Sequence, residues 1–365
     1  MRLSTKILLL TVTTLVAGCA GANDSSGGVG PSGRPVVSGG NGAGGTVIGT
    51  GNVDNSGVAD PGNGATCGMK TFGLSKVPPD LLVVLDKSGS MNQTPEGAEC
   101  GGTGSVPPCT GGKWPQMTDA IKQVVTRTDD KMRWGLKFFP DNSQCGVGAN
   151  PVVRIADRNA TAVAFAMSQT NPNGATPTRV AVAGATTYLA NLADPNPKFI
   201  LLATDGLPNC ALGGTSATPD ADGAVQAVTD SAKVGIPVFV IGIGSLPEAQ
   251  STLTAMAIAG GRAQAANPRY FPVANTAELV SVLDGIGDTI GSCSFGLGSA
   301  PPDPNNIRIT VNGTKVPNDP THANGWDYGT GNTSLQLFGQ WCDDAKAGKV
   351  KDVQAIFGCP GVVIP

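Results

Sequence analysis

The sequence has 365 residues, of which 40% are hydrophobic and 14% are charged, and its formal net charge is -3. This length is sufficient for one or two domains with real hydrophobic cores, and the slightly negative charge provides no basic field to attract nucleic acid. The 52 glycines and 28 prolines exceed the usual share of roughly 12% of a chain, and their concentration in one stretch predicts a linker.

The first 18 residues have the pattern of an export signal. Two basic residues precede an apolar run from residue 7 to residue 17, which is too short to span a bilayer as a helix of ~20 residues. The end of this run, VAGC at residues 16–19, resembles the bacterial lipobox, and the resemblance implies that Cys19 becomes a lipidated N-terminus after cleavage. The alternative is an ordinary signal peptide cleaved after the small residues 20–22, which would leave a soluble secreted protein.

The lipobox resemblance implies a protein anchored in the cell envelope by a lipid at Cys19. Alanine follows this cysteine, and not the aspartate that resembles inner-membrane retention, which favours the outer membrane or cell surface if the cell is Gram-negative. Each buried CH₂ group of an acyl chain contributes roughly 0.8 kcal/mol, so several chains anchor the protein firmly.

Residues 19–66 form the glycine-rich stretch. They contain few large apolar side chains and show no period of 2 or 3.6, which predicts a flexible, lipid-anchored Gly/Ser-rich linker. A random chain of this length extends over roughly 35 to 40 Å. The linker would therefore hold the rest of the protein away from the membrane surface.

Eight cysteines remain beyond Cys19, at positions 67, 100, 109, 145, 210, 293, 342 and 359. An even number of cysteines in an exported chain favours disulfides. No C-x-x-C occurs, which argues against a thiolate zinc site or a thioredoxin-like redox pair. We predict two disulfides, Cys100 with Cys109 and Cys145 with Cys210. The pairing of the remaining cysteines stays open.

Apolar runs that alternate with helical patterns predict an α/β domain, assigned to residues 67–292. The runs are LLVVL (81–85), WGLKFF (134–139), FILLA (199–203), PVFVIGI (237–243) and YFPVA (270–274), with VVRIA (152–156) as an edge strand beside WGLKFF. Nearly continuous apolar runs are typical of strands buried on both faces of a parallel sheet. Thr118 and Thr276 are the predicted N-caps of two of the helices. The order of elements predicts a doubly wound, mostly parallel, Rossmann-like sheet.

Residues 293–365 have a different pattern, with short alternating segments and an Asn312-Gly313 turn that predicts a β-hairpin. With three cysteines, this segment predicts a small disulfide-stabilised β module. The only histidine of the chain, His322, lies here, and no G-x-S-x-G motif occurs. Because a Ser-His-Asp arrangement lacks its usual elements, we predict no enzymatic activity.

Polar residues follow two of the predicted central strands. Asp86, Ser88 and Ser90 come at the end of LLVVL, and Asp205 comes after FILLA. In an open α/β sheet the ligand crevice lies beyond the carboxyl ends of the strands, so we expect these oxygens to lie on one rim. Two carboxylates with several hydroxyls make an all-oxygen site that suits Mg²⁺ or Mn²⁺ better than a soft metal.

A third hydroxyl comes from the loop NPNGATPT at residues 171–178, where Thr176 is the favoured residue and Thr178 the competing one. D-x-S-x-S at residues 86–90, Thr176 in GATPT and T-D-G at 204–206 together resemble a von Willebrand factor type A domain with a complete metal-ion-dependent adhesion site. The resemblance covers about residues 78–290. It implies a divalent cation, Mg²⁺ first and Mn²⁺ or Ca²⁺ as alternatives, held by the hydroxyls of Ser88, Ser90 and Thr176. Asp86 and Asp205 would bind the cation directly or through water.

The resemblance also implies that an exposed Asp or Glu of a protein partner completes the coordination of the cation. We therefore predict a surface-anchored adhesion or binding protein with no nucleic-acid partner. The alternative is a structural or assembly component of an envelope complex with a mainly structural metal. A simpler explanation of the aspartates, as helix caps worth a few tenths to ~1 kcal/mol each, accounts for single residues but not for the set.

An insert at residues 92–112, with Cys100 and Cys109, is expected on the same rim. It is interpreted either as a determinant of partner choice or as a surface loop without a role.

Overall fold

The computed structural model describes five ranges of the chain, residues 70–100, 111–141, 144–244, 247–297 and 299–357. The predicted export signal, Cys19 and the predicted linker lie outside the described residues, so these predictions stay predictions. In the ranges described, no helix combines the length and the apolar character needed to span a bilayer.

The strands of the described ranges are β1 (Lys70–Gly73), β2 (Ser75–Lys76), β3 (Asp80–Asp86), β4 (Arg133–Phe139), β5 (Val153–Ala156), β6 (Lys198–Thr204), β7 (Val238–Ile243), β8 (Phe271–Val273), β9 (Ser294–Gly296), β10 (Ile307–Val311), β11 (Thr314–Val316), β12 (Trp326–Tyr328), β13 (Ser334–Leu337) and β14 (Val353–Phe357). The helices are α1 (Lys113–Thr128), α2 (Ala160–Ser168), α3 (Thr178–Ala190), α4 (Ala221–Lys233), α5 (Gln250–Ala259), α6 (Thr276–Cys293) and α7 (Gln340–Lys346). Short 3₁₀ turns are found at Gly89–Asn92, Pro247–Ala249 and Thr330–Asn332.

The central sheet has six strands in the order β5-β4-β3-β6-β7-β8. All neighbouring pairs are parallel except β4 with β5, which is antiparallel at the edge. The predicted doubly wound, mostly parallel sheet and its VVRIA edge strand are therefore confirmed. Strands β3, β6 and β7 are buried along their whole length, which explains why their sequences are almost continuously apolar.

Helices cover both faces of this sheet. Leu81, Val83 and Leu85 of β3 pack in one core with α1, α2 and α6. Leu82 and Val84 of the same strand point to the other face and pack with α3, α4 and α5. The alternation of side chains along β3 therefore joins the sheet to two separate layers of helices.

Two helix starts differ from the sequence-based predictions. The N-cap prediction for Thr118 is wrong, because the N-cap of α1 is Gly112, six residues earlier. Pro115 is tolerated in the first turn, where its missing N–H has no intrahelical partner. The N-cap prediction for Thr276 is also wrong. Asn275 caps α6, its Oδ1 accepting from the amide of Glu278 at 3.0 Å.

Helix α2 was not predicted from the sequence. Its buried residues are Val163 and Met167, one turn apart, while Phe165 on its exposed side is 66% exposed. A short alanine-rich helix with two buried side chains and an exposed aromatic residue lacks the apolar periodicity that identifies amphipathic helices.

The C-terminal part contains two antiparallel four-stranded sheets, in the orders β1-β14-β10-β11 and β12-β13-β9-β2. The hairpin between β10 and β11 is confirmed, with Asn312 and Gly313 both at positive φ, as a tight turn of this kind requires. Strands β1 and β2, which precede the central sheet in the chain, pair with strands of this module. The module is therefore built from both ends of the described chain, although residues 67–292 were assigned to the α/β domain.

The module is attached to the central sheet through Arg262. Its guanidinium lies over the rings of Phe199 and Phe239 of the sheet, 5.7 and 5.8 Å from their centroids, and 5.1 Å from that of Phe338 in the module. It also donates a hydrogen bond to the side chain of Gln336. Burial lowers the pKa of Arg262 to about 10, and the aromatic faces offset part of the cost of the buried charge.

Two disulfides are described. Cys145–Cys210, as predicted, joins the loop after β4 to the loop after β6. Cys293–Cys342 joins the end of α6 to α7 and confirms a disulfide in the C-terminal module. Cys100 is disulfide-bonded, but Cys109 lies outside the described residues, so that pairing stays a prediction.

We expect the double substitution Cys145→Ser/Cys210→Ser to lower the free energy of unfolding by about 2 to 4 kcal/mol, because the closed loop restricts the unfolded chain. The residues are 65 positions apart, so the loop is long. Urea unfolding followed by circular dichroism measures the loss, and non-reducing mass spectrometry verifies that the other disulfides are intact. An unchanged unfolding midpoint would contradict this expectation.

Asp319 stabilises a turn of the module through its side chain. Its Oδ1 accepts from the hydroxyl and amide of Thr321 at 2.5 and 3.0 Å, and its Oδ2 accepts from the amides of Ala323 and Asn324 at 2.9 and 2.7 Å. These hydrogen bonds, with the Thr321 hydroxyl first, lower the pKa of Asp319 to about 2. A lowered pKa means that the ionised carboxylate stabilises the fold above its unfolded pKa of roughly 3.9.

Substituting Asp319→Asn should therefore lower the melting temperature at pH 7, and the difference from wild type should shrink as the pH falls from 4 towards 2. The exposed Asp130, replaced by asparagine, is the matched control. Thermal unfolding at several pH values measures both variants. If the two variants show the same pH dependence, the role of Asp319 is contradicted.

Candidate metal centre

The two predicted aspartates lie at the ends of neighbouring central strands. Asp86 is the last residue of β3, and Asp205 directly follows β6, its parallel neighbour. In the sheet, β4 lies on one side of β3 and β6 lies on the other side. Where the strand order reverses in this way, a crevice opens at the carboxyl ends of the strands. Both residues are buried, with 0% and 2% of their surface exposed.

The two serines join these aspartates through hydrogen bonds. The amide of Ser88 donates to Asp86 Oδ1 at 2.8 Å, and the hydroxyls of Ser88 and Ser90 lie 3.1 Å apart. The Ser90 hydroxyl in turn donates to Asp205 Oδ1 at 2.9 Å. Four of the five predicted ligands therefore form one connected group on the rim.

Thr176 reaches the same rim through its backbone. The amide of Gly89 donates to Gly174 O at 3.0 Å, which joins the threonine loop to the serine loop. The amide of Thr176 donates to Asn209 Oδ1 at 2.6 Å. The competing residue, Thr178, is fully buried and its hydroxyl donates to Thr176 O at 3.4 Å, so Thr176 is the better candidate.

The charge of the site affects the titration of Asp86. Burial first, and then the negative charge of Asp205, raise the pKa of Asp86 to about 7. Hydrogen bonds oppose this shift, since Thr204 Oγ1 donates to Asp86 Oδ2 at 2.5 Å and the Ser88 amide also donates. Two buried carboxylates at neighbouring strand ends repel each other, and a cation between them would relieve that repulsion.

The donor set fits a hard divalent cation. It consists of two carboxylates and three hydroxyls, all oxygen donors, which is the ligand chemistry of Mg²⁺, Mn²⁺ or Ca²⁺. In the part of the chain that the structure describes, no group of three or more His, Cys, Asp or Glu residues is placed to hold a metal. The candidate centre differs from such groups because most of its donors are hydroxyls.

One residue of the site was not predicted from the sequence. Lys113, the first residue of α1, is 1% exposed. Its Nζ lies 2.7 Å from Asp205 Oδ2 and 3.5 Å from Ser90 O. Because α1 was predicted to begin after Thr118, Lys113 was left between the insert and the helix, without an assigned element. With the correct start of α1, the sequence would have indicated a partner for Lys113. A lysine at a helix N-terminus interacts unfavourably with the helix dipole, so an acidic side chain is expected beside it.

Comparison with known proteins concerns the family and the fold. A family model of the von Willebrand factor type A domain matches residues 80–284, and no curated protein matches the chain. Similar solved structures include the minor pilin PilB from Streptococcus sanguinis, with 15% identity, a TM-score of 0.47 and coverage of 60% of this chain and 62% of that one.

Two further similar structures are the pilus adhesin SpaC from Lactobacillus rhamnosus GG and proximal thread matrix protein 1 from the mussel byssus with a zinc-occupied metal-ion-dependent adhesion site. SpaC has 13% identity, a TM-score of 0.44 and coverage of 82% of this chain and 44% of that one. The byssus protein has 15% identity, a TM-score of 0.39 and coverage of 62% and 51%. The chain spans less than two thirds of each of these three proteins. Because the family model covers more than half of the sequence, the chain belongs to the von Willebrand factor type A domain family.

Proposed function

We propose that the protein is a non-enzymatic adhesion or binding protein whose type A domain engages an acidic group of a protein partner through a divalent cation. Mg²⁺ is the first candidate, with Mn²⁺ and Ca²⁺ as alternatives. The observation that carries the proposal is the convergence of two buried carboxylates and two serine hydroxyls within hydrogen-bond distance at the switch point of the sheet, with Thr176 on the same rim.

The proposed ligands are Asp86, Ser88, Ser90, Thr176 and Asp205. The cation would supply an electrophilic centre that accepts a carboxylate oxygen from outside the protein. Ser90 is only partly buried, and the neighbouring Gly89 is exposed, so the serine loop is the side from which a partner can approach. Leu207 and Leu212 follow Asp205 and are 45% and 72% exposed, which adds apolar contact surface after the acidic end of β6.

The environment of the single histidine supports a binding role over hydrolysis. His322 Nε2 lies 2.9 Å from Asp327 Oδ2, and the ring stacks on Phe338 with centroids 4.2 Å apart. These contacts hold the imidazole within the C-terminal module. The nucleophile-base geometry of a hydrolase is not formed with the serines of the rim.

An envelope location is part of the same proposal. The VAGC sequence at residues 16–19 supports lipidation of Cys19, and the composition of residues 19–66 supports a linker between the lipid and the folded part. The outer membrane or the cell surface is the favoured location, and secretion is the alternative.

A structural or assembly role is the second candidate function. It is favoured by the near-complete burial of Asp86 and Asp205, since a cation held by buried groups can serve stability alone. The two functions differ in whether partner binding depends on the metal.

Removing the negative charge of Asp205 should weaken cation binding. We expect Asp205→Asn to weaken Mg²⁺ binding at least tenfold in isothermal titration calorimetry, because one of two anionic ligands becomes neutral. Asp222→Asn, at an exposed acidic residue in the first turn of α4, is the matched control and should bind as wild type. Unaltered binding in Asp205→Asn would contradict the site.

The same variants distinguish adhesion from a structural role. Retention of envelope proteins on the immobilised protein should require Mg²⁺, should be lost with EDTA and should be lost in Asp205→Asn. If EDTA lowers the melting temperature but retention is indifferent to EDTA and to the substitution, the cation is structural.

The lipid anchor has an independent test. Cys19→Ala should abolish incorporation of labelled palmitate and partitioning into the detergent phase, because the thiol is the acylated group. Ser26→Ala in the same segment is the control. Persistent labelling of Cys19→Ala would show that the anchor is elsewhere.

A further inference from the structure

Lys113 is a buried cation inside the candidate metal centre. Its Nζ contacts Asp205 Oδ2 at 2.7 Å, and the two side chains are 2% and 1% exposed. A buried ion pair of this kind adds little net stability, because the desolvation of both charges offsets their attraction. The main effect of this ion pair is therefore on the charge of the site and not on the stability of the fold.

The position of Lys113 adds to its electrostatic effect. It is the first residue of the 16-residue helix α1, whose N-terminus carries the positive end of the helix dipole. The ammonium compensates the negative charge of Asp205 directly. A cation bound by Asp205 would lie close to this ammonium, since Asp205 Oδ2 is 2.7 Å from Nζ.

The other lysine whose charge acts on this rim has a different partner. Lys87 is half-buried, and the charge of Asp141 acts on it more strongly than that of Asp86. Lys113 is hydrogen-bonded directly to a proposed ligand, which makes it the main fixed positive charge of the centre.

The charges of the centre can be summed from its residues. Asp86 and Asp205 carry two negative charges when ionised, and a divalent cation balances them. Lys113 adds one positive charge, so the centre carries an excess of one positive charge with the cation and a single negative charge without it. An excess positive charge lowers the affinity for a cation and favours an acidic partner.

We propose that the Lys113 ammonium competes with the divalent cation for Asp205, so that it lowers the cation affinity of the site and leaves the cation-loaded site attractive to an anionic partner. This inference rests on the proposed metal site. Lys113 is an affinity-setting residue in this scheme and not itself a ligand of the cation.

Calorimetric titration with MgCl₂ alone and with MnCl₂ alone tests this scheme on the full mature protein. The Kd of Lys113→Met for each cation should be at least tenfold lower than that of wild type, because repulsion is removed while all five donors remain. Mg²⁺ should also raise the melting temperature of Lys113→Met by more than it raises that of wild type. Lys113→Arg, which keeps the charge, should bind both cations with the wild-type Kd.

Lys122→Met is the matched control. It makes the same change on the same helix, about 14 Å further along its axis, at a side chain that is 32% exposed and lies 3.5 Å from Asp119. Its Kd should equal that of wild type. Circular dichroism checks the folding of each variant, and Lys113→Gln, which keeps a hydrogen-bond donor, has the same expected tenfold tightening if Lys113→Met does not fold.

Two outcomes overturn the inference in different ways. If Lys113→Met or Lys113→Gln binds Mg²⁺ as wild type does or more weakly, Lys113 serves to position Asp205, while the proposed metal site stands. If neither wild type nor any lysine variant binds Mg²⁺ or Mn²⁺, the proposed metal site fails together with the inference.

Discussion

The parallel pairing of β3 with β6 is the constraint on which the rest of the molecule depends. It places Asp86 and Asp205 at adjacent strand ends in the centre of a sheet whose two faces are covered by helices. Carboxylates in such a position are taken out of water, and their burial is tolerated because hydroxyl, amide and ammonium donors surround them. The rigid strands therefore hold two negative charges close together. The hydroxyl, amide and ammonium donors around the strand ends compensate these charges.

The strands that are buried on both faces were predictable from the sequence. A strand buried on both faces needs apolar residues at every position, so LLVVL, FILLA and PVFVIGI identify β3, β6 and β7 without tertiary information. The pairing of β1 with β14 and of β2 with β9 was not predictable in this way, because it joins residues far apart in the chain and leaves no local period. The module formed from both ends of the described chain is the result.

The site was predictable where its residues are local or end a strand. Asp86, Ser88 and Ser90 lie within five positions, and Asp205 and Thr176 belong to short motifs at expected places. Lys113 has neither property. It follows a 21-residue insert, its partner is 92 positions away, and its position depended on the start of α1. Helix boundaries are the weakest part of sequence-based assignment, and here the boundary decided whether a charged residue of the site was recognised.

The charges of Asp86, Asp205 and Lys113 affect both the stability of the fold and the cation affinity of the candidate site. A centre with two carboxylates and no internal cation would bind a divalent ion tightly, but its unbound form would hold two unpaired buried charges. In a centre with one lysine, one carboxylate is paired before an ion binds, and on our proposal this pairing weakens the hold of the centre on the ion. On this proposal, the Lys113–Asp205 contact exchanges cation affinity for a rim whose Asp205 is already paired before any ion binds, so that the surrounding loops keep one geometry for a partner to meet.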